Sequence, residues 1–144
     1  MSNAADVIHY EQITPHIFQT LSSVHQLMAK QGFDPMTIHL VELRASQMNK
    51  CAYCIKMHTK EARDDGERNE RLDRVIVWRH VPDFSPAEKA ALAWTEALTD
   101  LKEETDYESL RSTLKEHYSD EDISVLTTAV AMINLWNRFQ ISKH

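Results

Sequence analysis

The chain has 144 residues, 42% of them hydrophobic and 26% charged, with a formal net charge of −6. That length suits one domain with a real core and is short for two. Two glycines and four prolines disfavour an all-β fold with its many tight turns. The acidic balance leaves no electrostatic footprint for nucleic acid or for an anionic membrane surface.

Residues 1–13 show no clear period and read as an N-terminal arm, without the basic-then-apolar order of a signal peptide. Thr14-Pro15 is a helix start, a side-chain cap followed by proline where a missing N–H costs nothing. Ile17, Phe18, Leu21, Val24 and Met28 recur at helical spacing, and Gly32 closes the segment. Asp34-Pro35 repeats the start signal. Ile38, Val41, Ala45 and Met48 then form one stripe, with Glu42 at its edge, where a carboxylate is at least partly buried.

A third helix is expected from near Cys51 to Asp65, stopped by Gly66. The charged run 61–74 mixes both signs and reads as a solvated face. Leu72, Val75 and Ile76 predict a short amphipathic helix that ends before Pro82. Ser85 with Glu88 is a capping box, and the small residues Ala87, Ala90, Ala91 and Ala97 around Trp94 suit close helix packing. Thr105 with Glu108 predicts the start of a short helix, and Ser119 with Asp122 the start of the last one. That last helix is apolar on more than one face, so it is expected at the bundle centre or at a subunit interface. Its most apolar run, 125–136, is broken by Thr127, Thr128 and Asn134 and is too short to span a bilayer. The expectation is a single all-α domain over 14–144, a bundle of six or seven helices, located in the cytoplasm.

Both cysteines lie in Cys51-Ala-Tyr-Cys54-Ile-Lys-Met-His58. In a reducing compartment a close pair of this kind points to redox or metal chemistry rather than to a structural staple. At 100° per residue, Cys51, Cys54 and His58 fall within an arc of roughly 60° on one helix face. The combination supplies a thiolate to attack, a second thiol to close a disulfide, and a base to manage the proton. Free N–H groups in the first turn favour Cys51 as the lower-pKa thiol.

Two plainer readings stand beside this one. The cysteines can be small buried apolar residues. Alternatively, Cys51, Cys54 and His58 with Glu42 or another histidine can bind zinc, although no second close ligand pair is present. Haem attachment needs histidine directly after the second cysteine, where Ile55 stands. Tyr53 reads as core or interface, and Trp78, Trp94 and Trp136 as core or oligomer contacts. His39, His80 and His117 read as surface residues, and His25 is assigned no role.

The stretch from Glu42 through Cys51, Cys54 and His58 to Gly66 resembles the core of the carboxymuconolactone decarboxylase-like superfamily, and more narrowly its alkylhydroperoxidase D-like (AhpD-like) branch. The likeness continues through 84–98 and the ending Asn134-Leu-Trp-Asn-Arg138. It implies an all-helical fold assembling as a homo-oligomer, trimer or hexamer, and a thiol-dependent peroxidase or disulfide-exchange activity with no bound cofactor or metal. By position, Cys54 would react with the hydroperoxide substrate and Cys51 would be the more accessible resolving sulfur. Glu42 and His58 would form the proton relay. A dithiol reductant, thioredoxin-like or lipoyl-type, would close the cycle. This assignment opposes the helix-dipole argument for Cys51. Some peroxidase members carry histidine where Tyr53 stands. The alternatives are acid/base decarboxylation of a small lactone by Glu42 and His58, or a non-catalytic oligomer that senses redox state or binds metal.

Overall fold

A computed structural model describes residues 6–143; residues 1–5 of the expected arm lie outside the described residues. Eight α-helices and no strand are found among them: α1 Tyr10–Ile13, α2 Pro15–Lys30, α3 Pro35–Met48, α4 Ala52–Asp64, α5 Asn69–Arg74, α6 Pro86–Asp100, α7 Tyr107–Lys115 and α8 Asp120–Ile141. A 3₁₀ segment, Val75–His80, follows α5. The all-α expectation holds, and the eight helices exceed the six or seven expected because α1 adds a turn inside the expected arm.

Side-chain caps explain most of the boundaries. The Asp34 carboxylate accepts the Met36 and Thr37 N–H groups at the start of α3. Ser85 with Glu88, and Ser119 with Asp122, form reciprocal capping boxes on α6 and α8. Two starts differ from expectation. Thr14 does not cap α2, because the residues before it are already helical and its hydroxyl donates back to the Tyr10 carbonyl. Asp106, not Thr105, caps α7 by accepting the Ser109 N–H. Gly32 and Gly66 take positive φ, 75° and 100°, beyond the ends of α2 and α4.

Helix α3 lies at the centre, packed on α4, α6 and α8. One of its faces sends Leu40 and Leu43 into a cluster with Ala62, Val75, Trp78 and Leu92. The other sends Val41 against Trp94, Leu114, Leu126 and Val130. The central helix is α3, and the last helix, α8, packs against it. The 3₁₀ segment also departs from a regular amphipathic helix: its tighter winding and the non-helical Val77 turn Val75 and Trp78 inward and leave Ile76 exposed. Helix α2 buries none of its residues fully, and Ile17 of its expected stripe is exposed. It therefore covers the bundle as a half-open wall. No helix among the described residues is long and apolar enough to cross a membrane.

Candidate active site

The two cysteines sit at the junction of α3 and α4. Lys50 reverses the chain there with φ 57°, and Cys51 becomes the N-cap of α4, its Sγ accepting the Cys54 N–H at 3.4 Å. A buried polar network fixes the junction. Asn137 of α8 donates to Ser46 Oγ at 3.0 Å and accepts from Asn49 Nδ2 at 2.9 Å. Asn49 also donates to Asn134, and the Ser46 carbonyl accepts the Cys51 N–H at 3.0 Å. Every member of this chain of bonds is satisfied by another, so it locks the turn that carries Cys51.

Cys51 and Cys54 are joined in a disulfide with their Cα atoms 5.3 Å apart. In this form neither sulfur is available as a thiolate metal ligand. Both are buried, at 2% and 1% exposure, but their surroundings differ. Cys54 borders a cavity of about 450 Å³ together with Glu42, Tyr53, His58, Glu61 and Trp136. Cys51, expected to be the more accessible sulfur, does not line it, because as N-cap it is turned back into the junction.

The structure brings Glu42 of α3 to His58 of α4. Glu42 Oε2 lies 3.3 Å from His58 Nδ1, and the Glu42 side chain is 17% exposed. Glu61, one turn beyond His58 on α4, approaches the same nitrogen to 3.4 Å and is 49% exposed. Neither approach has hydrogen-bond geometry, so both His58 nitrogens are buried without a hydrogen-bond partner among the described residues. Burial, reinforced by the Glu61 charge, pushes the Glu42 carboxyl up to about 8. Burial holds the His58 imidazole below its ordinary value, and Glu61 offsets part of this. At neutral pH the contact therefore joins a protonated carboxyl to a neutral imidazole. Together they form a poised acid/base pair beside a sulfur one helical turn away.

Several further residues belong to this site. His25 of α2 lines the cavity, and its Nε2 accepts the Trp136 indole N–H at 2.8 Å. Trp136 thus lines the cavity, whereas Trp78 and Trp94 are core. His39, expected on the surface, is largely covered and pairs with Asp65 at 2.6 Å. His80 and His117 are exposed as expected. Tyr53 is 57% exposed and borders the cavity. It is therefore not a core residue, and it shares the cavity lining with Trp136 of α8. The spacing of three from His58 is a signal that could have found Glu61, had the mixed charges around it not suggested a solvated run. No sequence signal pairs His25 with Trp136, which are 111 positions apart.

The sequence pattern of the Carboxymuconolactone decarboxylase family matches residues 15–97. The chain is 33% identical over 135 residues to the uncharacterized protein YdfG of Bacillus subtilis (strain 168), covering 94% of this chain and 92% of that one. It is 31% identical over 127 residues to the uncharacterized protein YnjA of Escherichia coli (strain K12), covering 87% and 69%. The crystal structure of ATU0492 from Agrobacterium tumefaciens, a protein of unknown function suggested to be an antioxidant defence protein AhpD, matches with a TM-score of 0.89 at 35% identity. That match covers 96% of this chain and 94% of the other. With its all-helical fold and paired cysteines, the chain belongs to the carboxymuconolactone decarboxylase / AhpD-like superfamily.

Proposed function

We propose that this protein is a thiol-dependent peroxidase that reduces hydroperoxides through Cys54 and Cys51. The observation that supports this best is the position of Cys54. It borders the same cavity as the Glu42–His58 pair and lies within disulfide reach of a second sulfur. In the reduced protein, neutral His58 takes the proton of the Cys54 thiol. The thiolate attacks the terminal peroxide oxygen and the O–O bond breaks. The relay returns a proton to the departing alkoxide, giving an alcohol and Cys54 sulfenic acid. The Cys51 thiol condenses with the sulfenic acid, releasing water and forming the disulfide. A dithiol then supplies two electrons and two protons to restore both thiols. No bound cofactor enters the cycle. By family resemblance, the working form is a cytoplasmic homo-oligomer, trimer or hexamer.

The test is peroxide consumption by purified protein supplied with a dithiol such as dithiothreitol. Loss of activity in Cys54→Ser and in Cys51→Ser is expected. Unchanged consumption in either variant would overturn the proposal. A second reading, acid/base decarboxylation of a small lactone, draws on the protonated Glu42 beside neutral His58, which needs no sulfur. Lactone turnover surviving in the double Cys→Ser protein would favour it.

A further inference from the structure

His58 Nδ1 lies between two carboxylates of unlike exposure. Glu42 is largely covered on α3, and burial raises its carboxyl to about 8, so it holds its proton at neutral pH. Glu61 reaches the same nitrogen from α4, but half of its side chain meets water, and it lines the Cys54 cavity. A half-exposed carboxylate that touches the shared imidazole nitrogen offers this pair a side-chain route for protons to and from solvent. The other ionisable groups facing His58 are His25 from α2 and His39 from α3. Neither fills that role. His25 Nε2 is occupied by the Trp136 N–H, and His39 is tied to Asp65. Trp136 and Gln140, the α8 residues lining the cavity, do not titrate.

We infer that Glu61 is a third proton-handling residue of this site: acting through His58 Nδ1, it connects the buried Glu42–His58 pair to solvent and to the protons of the incoming dithiol. The inference rests on the thiol-peroxidase reading. Glu61 has its main work in the reductive half of the cycle. The dithiol loses a proton, and its thiolate attacks the cavity-facing Cys54 sulfur. A mixed disulfide forms there and Cys51 leaves as thiolate. The second dithiol sulfur, also deprotonated, attacks the first and releases Cys54 thiolate, leaving the reductant oxidised by two electrons. The two protons shed by the dithiol end on Cys51 and Cys54. Glu61 accepts protons at the open side of the cavity and passes them inward through His58. Its charge also sustains the basicity of both relay members, since it raises Glu42 and His58 alike. Because it acts through His58, Glu61 is a positioning residue.

The experiment compares wild type, Glu61→Gln and Glu61→Asp. Stopped-flow reduction of the oxidised protein by dithiothreitol and its oxidation by hydrogen peroxide are followed across pH, with NMR titration of the His58 ring in parallel. In Glu61→Gln the His58 midpoint is expected to fall, and reduction at pH 7 to slow about tenfold, the equivalent of about one pKa unit. Added acetate, a small carboxylate able to enter the cavity, restores part of that rate in Glu61→Gln and does nothing in wild type. Glu61→Asp recovers part of it without acetate. A purely structural role would give neither acetate rescue nor a moved His58 midpoint. A Glu61→Gln protein with unshifted His58 titration and wild-type reduction kinetics would overturn the inference. If wild type itself fails to consume peroxide, the peroxidase reading falls, while the His58 titration and the reduction kinetics still decide whether Glu61 governs the relay.

Discussion

Cys51 and Cys54 are three residues apart, almost equally buried and bonded to each other, yet they occupy different worlds. Cys51 caps α4 and hangs from a network of asparagines and Ser46 that ties α8 to the end of α3. Cys54 faces a cavity with two carboxylates and two imidazoles on its walls. One sulfur is held by the frame, and the other shares a cavity with the Glu42–His58 pair. Helix position alone favoured Cys51 as the activated thiol. The cavity instead sets Cys54, not Cys51, beside the Glu42–His58 pair, and on the proposed peroxidase reading that makes Cys54 the attacking sulfur.

The sharpest way to break this asymmetry is to remove each sulfur in turn. Cys54→Ser should lower peroxide consumption on the order of a thousandfold or more, as loss of a nucleophile does. Cys51→Ser should still reduce one equivalent of peroxide and then stall. Mass spectrometry of that variant trapped with a sulfenic-acid reagent would show the adduct on Cys54. An adduct on Cys51 in the Cys54→Ser protein, at comparable rate, would reverse the roles.

Next in size is the relay. Glu42→Gln should cost about a hundredfold in the oxidation rate if the carboxyl handles a proton. It also has a signature in stability. Glu42 is raised from 4.5 to about 8 in the folded chain, so its contribution is fully present below 4.5 and is lost as pH climbs through about 8. Wild type should therefore lose on the order of a few kcal/mol between those limits, and Glu42→Gln should not. His58 runs the other way. Its folded value is depressed, so its contribution is present above 6.5 and is lost as pH falls through the folded value. Melting curves at pH 5, 7 and 9 separate the two.

How much of this was legible beforehand follows from where each signal lives. Helix starts such as Asp34-Pro35 and the two serine capping boxes are local, and they appear as read. Glu42 was legible because its place at the edge of an apolar stripe fixes partial burial, and His58 because it shares a helix face with Cys54. The open direction of the cavity was not legible. It depends on α2 lying half-buried over the site and on Trp136 reaching His25, contacts between residues far apart in sequence. Asn137 was equally hidden, since a buried asparagine in an apolar helix shows its purpose only when Ser46 and Asn49 are seen against it.

The frame side of the comparison is tested by Asn137→Ala. Asn137 is fully buried and bonded at both ends of its amide. Its loss takes one bond each from Asn49, which keeps Asn134, and from Ser46, which keeps the Glu42 carbonyl, and should destabilise the fold by about 2–3 kcal/mol. If the network positions Cys51, the variant should also close the disulfide more slowly after sulfenic acid forms, with the first oxidation at Cys54 little changed. Equal slowing of both steps would show that the network supports the whole site and not Cys51 alone.

The smallest effect is expected at Tyr53, next to Cys54 on the chain and 57% exposed at the cavity mouth. So open a side chain anchors little, and Tyr53→Ala or Tyr53→His should change stability by less than about 0.5 kcal/mol. An imidazole at that position would put a group that titrates near neutrality beside Cys54. Tyr53→His should therefore speed oxidation, but by less than about tenfold, since a mobile group open to water gives only part of the usual acid/base advantage. The gain should appear in the first oxidation and be absent from disulfide closure, because Cys51 does not face the cavity. A rise in closure rate instead would mean that residue 53 acts on the framed sulfur, and the division of labour between the two cysteines would have to be redrawn.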